Sequence, residues 1–145
     1  MIRGATLEDV PIMVQKAAKH LETCSYAPLA YDMGKAEDFI RDLISINGYV
    51  AVIERNGEIV GAMLGDIVEP WFSSDRIGIE YIVYVEPGHR SGKEIVQLIG
   101  RWINWCKENN VKQIRPQISS GNLGASRLYE AMGFKYVGPC FCMNV

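Results

Sequence analysis

Three groups of residues in this chain have types and spacings that support chemistry. Tyr129 lies in the stretch Asn122-Leu123-Gly124-Ala125-Ser126-Arg127-Leu128-Tyr129-Glu130-Ala131-Met132-Gly133-Phe134. There Ala125, Leu128, Tyr129 and Met132 fall at i, i+3, i+4 and i+7, on one helical face, and Gly133 supplies a left-handed stop. A phenol on an inward-facing stripe needs a partner for its hydroxyl, so it is either a core anchor or a proton donor. Glu80 interrupts the apolar run Ile77–Val85, where burial raises a carboxyl pKa toward the range of a general base; the alternative is a glutamate at a strand edge meeting water. The third group, Val85-Glu86-Pro87-Gly88-His89-Arg90-Ser91-Gly92-Lys93, joins a strand to a helix N-terminus. Unpaired amides and the helix dipole attract an anion such as a diphosphate there.

The elements that must position these groups follow from hydrophobic periodicity. Ile2-Arg3 is a short strand, and Thr6-Leu7-Glu8-Asp9 opens a helix carrying Val10, Met13, Val14 and Ala17 on one face. Residues Cys24 to Gly34 form a loop; Phe39, Ile40, Leu43 and Ile44 mark a second helix ended by Gly48. Tyr49–Arg55 and Glu58–Val68 flank Asn56-Gly57, the signature of a type I′ hairpin. After a loop at Trp71–Asp75, the strand Ile77–Val85 completes a three-stranded meander and Pro87-Gly88 stops it. Ile95, Ile99, Trp102, Ile103 and Cys106 keep helical spacing between Gly92 and Asn109; Gln113–Ser119 is then extended, and so is the run from Phe134 through Tyr136 and Val137. Strand, helix, strand in succession requires a parallel pair with a crossover helix. Pro116 fits such a strand only where one side is unpaired.

With 145 residues and 48% hydrophobic side chains the chain is the size of one domain, 1–145, without repeats or linkers. The 15 basic and 17 acidic residues are interspersed, for a net charge of −2, which argues against nucleic-acid and polybasic membrane partners. Met1-Ile2-Arg3-Gly4 lacks a signal-peptide layout and no apolar run approaches membrane-spanning length, so a cytoplasmic location is expected. Cys24, Cys106, Cys140 and Cys142 form no Cys-x-x-Cys pair, and His20 and His89 stand alone, so no metal site is expected. Cys140 and Cys142 project to one face of a C-terminal strand in this reading, and reduced thiols suit the cytoplasm.

The pattern Asn-x-x-Ala-x-x-Leu-Tyr-Glu-x-x-Gly-Phe from Asn122 to Phe134 resembles the last conserved block of the GCN5-related N-acetyltransferase (GNAT) superfamily, and the element order resembles that fold throughout the chain. The resemblance implies an α+β fold: a mixed central sheet of about six to seven strands with four helices, its central parallel strands splayed at the cofactor site. It implies acetyl-CoA as cosubstrate, direct transfer of an acetyl group to a primary amine, and Tyr129 as the acid that protonates the departing thiolate. A phenol of pKa about 10 suits a thiol leaving group of roughly 8.5 to 10. The amine must be neutral to attack, and Glu80 is the expected base, with Tyr84 the weaker candidate. Cofactor contacts are expected from Tyr84, Val85, Arg90, Ser91, Gly92, Lys93, Glu94, Asn122 and Ser126, with backbone amides at a bulge near Tyr84 and Val85 polarising the acetyl carbonyl.

The loop departs from the superfamily pattern Arg/Gln-x-x-Gly-x-Gly/Ala. Counting from Arg90, the small residues fall on Lys93 and Ile95, and the glycine is Gly92. Two readings follow: Arg90 and Lys93 compensate with charge, or the loop has lost the cofactor. Similar degenerate loops occur in small acetyltransferases of bacteriophages, which would place the protein in a host cytoplasm. Tyr26, Tyr31, Asp32, Trp71 and Phe72 compose an aromatic, mildly acidic mouth for a cationic amine, borne by a small molecule or by a peptide or protein; a second copy of the chain is a further candidate partner. A non-catalytic acyl-CoA-binding or interaction module is the competing reading, and a cysteine-dependent acyl carrier using Cys140 or Cys142 is the third.

Overall fold

The computed structural model describes residues 1–90, 92–120 and 123–145; Ser91 and Asn122, both expected at the cofactor, lie outside the described residues. The element order is β1 (Ile2–Gly4), α1 (Val10–Leu21), α2 (Met33–Ser45), β2 (Tyr49–Arg55), β3 (Glu58–Val68), β4 (Ile77–Val85), α3 (Lys93–Glu108), β5 (Gln113–Arg115) and α4 (Leu123–Ala131). Short 3₁₀ turns at Leu7–Asp9 and Pro87–His89 lead toward α1 and α3. Asp9, nearly buried, locks the first of these turns: its carboxylate accepts from the Thr6 amide at 2.7 Å and from both terminal nitrogens of Arg3 at 2.7 and 3.0 Å. That bidentate partner holds the Asp9 carboxyl down at about 2.

The five strands lie in the order β1-β2-β3-β4-β5, antiparallel except for the parallel β4–β5 pair. Asn56 and Gly57, with φ of 51° and 80°, form the expected primed turn between β2 and β3. Alternation sorts the strand residues onto two covered faces. Val50, Val52, Ala62 and Leu64 meet α1 and α2 through Val10, Met13, Val14, Ile40 and Leu43. On the other face Ala51, Ile53, Met63 and Val85 meet Leu98, Ile99, Trp102 and Cys106 of α3, and Leu128 and Tyr129 of α4, with Met132 just after it, join that layer. Trp102 is fully buried, and the sheet makes room for it at Gly65, where a Cβ would come within 2.6 Å of Nε1 of the indole.

Two features of β4 set up the site. The β4–β5 pairing stops after Ile79↔Arg115, one residue before Pro116, so from Glu80 onward β4 has β3 on one side and an open edge on the other. A proline without a donor begins the divergence, as the sequence required. The second feature is a bulge: Leu64 faces Ile82, but the next residue, Gly65, faces Glu80, which leaves Tyr81 as the extra residue.

Two expectations are corrected. The described residues contain five strands, fewer than the six to seven expected, and β5 spans three residues where Gln113–Ser119 was expected to be extended. Phe134–Val145 contains no strand; Tyr136, Val137 and Phe141 are 61%, 76% and 91% exposed, and Cys140 and Cys142 are exposed thiols without a strand face. Gly133 and Gly138, with φ of 94° and 153°, interrupt the backbone on either side of the four apolar-rich residues, and Pro139 follows. Alternation alone holds no strand without a paired edge.

Candidate active site

The bulge decides which way Glu80 points. Val83 and Val85 lie on the α3 face, so strict alternation would turn Glu80 toward α1 and α2. With Tyr81 inserted the phase shifts, and Glu80 shares its face with its register partner Gly65, which lies against Trp102, and with Gly78, which lies against Cys106. Glu80 therefore projects toward the layer that holds α4 and Tyr129. Tyr81 turns to the opposite side, where its ring meets the edge of Phe39 from α2 at 4.9 Å.

At the mouth of the splay the Glu80 carboxylate accepts the Gln117 amide at 3.0 Å, bridging from β4 to the chain just beyond Pro116. Burial nevertheless dominates: it lifts the Glu80 carboxyl to about 7, and the single amide bond only partly opposes it. Tyr129, half-buried, has its hydroxyl pushed above the ordinary phenol range by burial and then by the negative charge of Glu80. The two groups thus sense each other electrostatically, with the Tyr129 ring set edge-on against Phe134 at 5.5 Å. Thirty-seven residues separate Glu80 from Gln117 in sequence. The fold brings them together where the sheet divides.

The open edge of β4 offers main-chain groups. The Glu86 amide donates to Val60 of β3 at 2.9 Å; by alternation, Tyr84 also turns its N–H and C=O toward β3, whereas Val83 and Val85 turn theirs into the splay. The bulge lies at Tyr81, not near Tyr84 and Val85 as expected, and of those two only the Val85 amide faces the open edge. The Tyr84 side chain is buried on the α1 face, its ring 5.1 Å from that of His20, away from Tyr129. It packs in a small cavity lined by Met13, Ala17 and Ile40, and burial raises its hydroxyl above the usual phenol value.

Beyond β4, Arg90 donates Nε to the Val85 carbonyl at 2.8 Å, which fixes the guanidinium at the end of the open edge. Gly92 precedes α3 with φ 76° and ψ −38°, a conformation that side-chain-bearing residues rarely adopt, and α3 begins there with the amides that a helix N-terminus leaves without an intrahelical partner. Lys93 follows, exposed, as the first residue of that helix. Glu94 is committed elsewhere: its carboxylate pairs with Arg55 of β2, with Nε at 3.0 Å, leaving its amide as the group that faces the loop's chemistry. Ser126 sits half-buried on α4, one turn before Tyr129.

The expected base and phosphate loop thus follow β4 from Glu80 to the N-terminus of α3, and the expected acid, Tyr129, comes from α4 in the layer toward which Glu80 projects. Tyr81, Phe39 and Gln117 escaped the sequence reading. The turn of Tyr81 shows only in the register, where alternation counted from Gly78 and from Val85 cannot both hold across Glu80–Val83. The Gln117 amide carries no residue-type signal at all.

The acetyltransferase (GNAT) family model matches residues 15–134. The chain belongs to the GNAT family of acetyltransferases. Among solved structures, a protein from Clostridium acetobutylicum described as a predicted acetyltransferase, determined with acetyl-CoA, is 19% identical with a TM-score of 0.83, over 99% of this chain and 95% of that one. A ribosomal-protein-alanine N-acetyltransferase from Brucella melitensis is 23% identical with a TM-score of 0.79, over 95% and 86% of the two chains. An aminoglycoside 6′-N-acetyltransferase from Acinetobacter haemolyticus is 12% identical with a TM-score of 0.77, over 100% and 97%. At these identities the likeness is one of fold. A comparison with curated proteins gives no match.

Proposed function

We propose that this GNAT protein transfers the acetyl group of acetyl-CoA directly to a primary amine, with Glu80 as base and Tyr129 as acid. The observation that carries the reading is the Glu80–Tyr129 pair, set on one face at the point where β4 and β5 part. The residues present suit the cosubstrate. The Arg90 guanidinium, held by the Val85 carbonyl, and the amides that begin α3 after Gly92 would suit a diphosphate; the open Val83–Val85 edge would suit the amide-bearing arm of coenzyme A. Arg90 and Lys93 supply charge where the loop lacks the family's glycines.

The amine nitrogen attacks the thioester carbonyl carbon, the C–S bond breaks, the amine's proton passes to Glu80 and the thiolate takes the hydroxyl proton of Tyr129. A carboxyl near 7 is poised for this task at neutral pH, since it accepts a proton readily yet is substantially ionised beforehand. The two steps reinforce each other. Ionised Glu80 raises the Tyr129 pKa; once Glu80 is protonated that influence is gone, and Tyr129 becomes a stronger acid as the thiolate departs. The test is acetyl-CoA turnover on an amine panel, followed by mass spectrometry of the products. Absence of any acyl-CoA binding by calorimetry would support the interaction-module reading instead.

A further inference from the structure

The bulge that aims Glu80 is constrained from both faces of the sheet, and the two constraints differ in kind. Without the extra residue, the Leu64↔Ile82 register would run on to set Tyr81 opposite Gly65 and Glu80 opposite Asp66. The first pairing has no room, because Trp102 fills the space over Gly65 so closely that a Cβ there would meet the indole nitrogen at 2.6 Å. The second would set two carboxylates directly across from each other, a destabilising pair. The α3 face therefore excludes the regular register. It does not hold Tyr81, which has left that face.

What holds Tyr81 is α2. Its ring meets the ring of Phe39 edge-on, with 4.9 Å between centroids and 88° between planes, an arrangement that aromatic pairs favour. The hydroxyl adds little, since it reaches the Asp66 carboxylate only at 3.5 Å. Phe39 stands on a firm base: Ile40, next in the chain, and Leu43, one turn on, are buried in one cluster with Val50 and Val52 of β2, and Asp32 caps the helix through the Lys35 amide. Yet Phe39 and Tyr81 are themselves 40% and 45% exposed. Rings so open to water add little to the core, and the core does not account for their contact. Its place in the chain does: Tyr81 is bonded to Glu80, whose carboxylate accepts the Gln117 amide on the other side and, among the described residues, has Tyr129 of α4 as the titratable group that senses it.

We propose that Phe39 is a positioning residue for Glu80: by seating the Tyr81 ring on α2 it fixes the bulge, and with it the direction in which the neighbouring carboxyl projects. This rests on the transfer reading above and adds to it a residue that acts on the base through a second side chain. Released from its seat, Tyr81 would swing in water, the bulge would loosen, and Glu80 would exchange its buried place for a more hydrated one.

The experiment compares the parent with Phe39→Ala, Phe39→Tyr, Tyr81→Ala and the double variant Phe39→Ala/Tyr81→Ala, all at half-exposed positions that folding tolerates. One readout is the titration of the Glu80 carboxyl by NMR of carbon-labelled glutamate side chains, assigned with Glu80→Gln, which needs no substrate; the other is kcat and KM for acetyl-CoA. The titration midpoint, near 7 in the parent and in Phe39→Tyr, should fall by about half a pH unit or more toward 4.5 in Phe39→Ala and in Tyr81→Ala, as the carboxyl gains water. In those two variants kcat should fall about tenfold while KM for acetyl-CoA stays within about twofold, the pattern of a misplaced catalytic group. The double variant should be no worse than either single one, because both break the same contact. A residue that merely steadied α2 would lower the melting temperature and leave the Glu80 midpoint and kcat of the folded chain unmoved. That result, or additive losses in the double variant, overturns the inference and leaves the transfer reading in place. A midpoint that falls as expected, with no acetyl transfer by the parent to any amine, overturns the transfer reading and leaves Phe39 as the residue that positions Glu80.

Discussion

Burial of Glu80 links its proposed use as a base to a cost in stability that depends on pH. Its carboxyl lies near 7 in the folded chain against 4.5 as the ordinary value, so folding favours the protonated form. The stabilisation is fully present below 4.5 and is lost as pH rises through 7, because above that point the folded chain must hold an unfavourable charge. Glu80→Gln removes the charge and retains an oxygen for the Gln117 amide. The variant should melt higher than the parent at pH 8 and no higher at pH 4, in paired thermal scans; equal melting at pH 8 would mean that Glu80 is well solvated. Tyr129→Phe tests the other partner. It should keep acetyl-CoA affinity within a few-fold and lower turnover by about 10²-fold, the usual scale for loss of a general acid, measured by calorimetry and by release of free thiol. Unchanged turnover would reduce Tyr129 to a packing residue against Phe134.

The elements matter through their ends and irregularities. Arg90 and Lys93 flank the turn into α3, and replacing both with alanine should weaken acetyl-CoA binding by about 2 to 4 kcal/mol, with added salt weakening the parent more than the variant. Full affinity in the double variant would assign the cosubstrate to the α3 amides alone. Gly65→Ala probes the bulge region of the sheet, since the added carbon would come within 2.6 Å of the Trp102 indole nitrogen and 3.0 Å of the Ile79 carbonyl. A loss of about 1 to 3 kcal/mol in chemical denaturation is expected, the usual cost of overpacking a tight core. Local sequence made many of these elements legible. The α1 stripe, the Asn56-Gly57 hairpin, the α3 spacing and the α4 face are short-range patterns, and each is present in the fold. The bulge at Tyr81 was hidden because β4 is apolar on both faces, so the phase of its alternation has no polar marker except Glu80 itself. The C-terminal strand was read from a pattern that names no pairing edge.

At the scale of the whole molecule, the site exists because the sheet changes character midway. Antiparallel ladders from β1 to β4 build a rigid half, a parallel contact of three residue pairs joins β5, and the split beyond Pro116 leaves one strand edge free between two helical layers. Pro116 announced an unpaired side in the sequence, and Tyr129 and Glu80 stood out there as the residues the proposed chemistry would use. What no sequence pattern supplied was their meeting, which depends on a phase shift in one strand and on contacts across long chain separations. The account rests on Glu80 taking the amine's proton, and the pH dependence of kcat/KM for acetyl transfer, parent against Glu80→Gln, tests that most directly. For the parent, kcat/KM should rise with pH, bend near 7 and level off above it, while Glu80→Gln should be slower by about 10²-fold and lack that bend. Superimposable profiles of equal rate would contradict the account and place the base elsewhere.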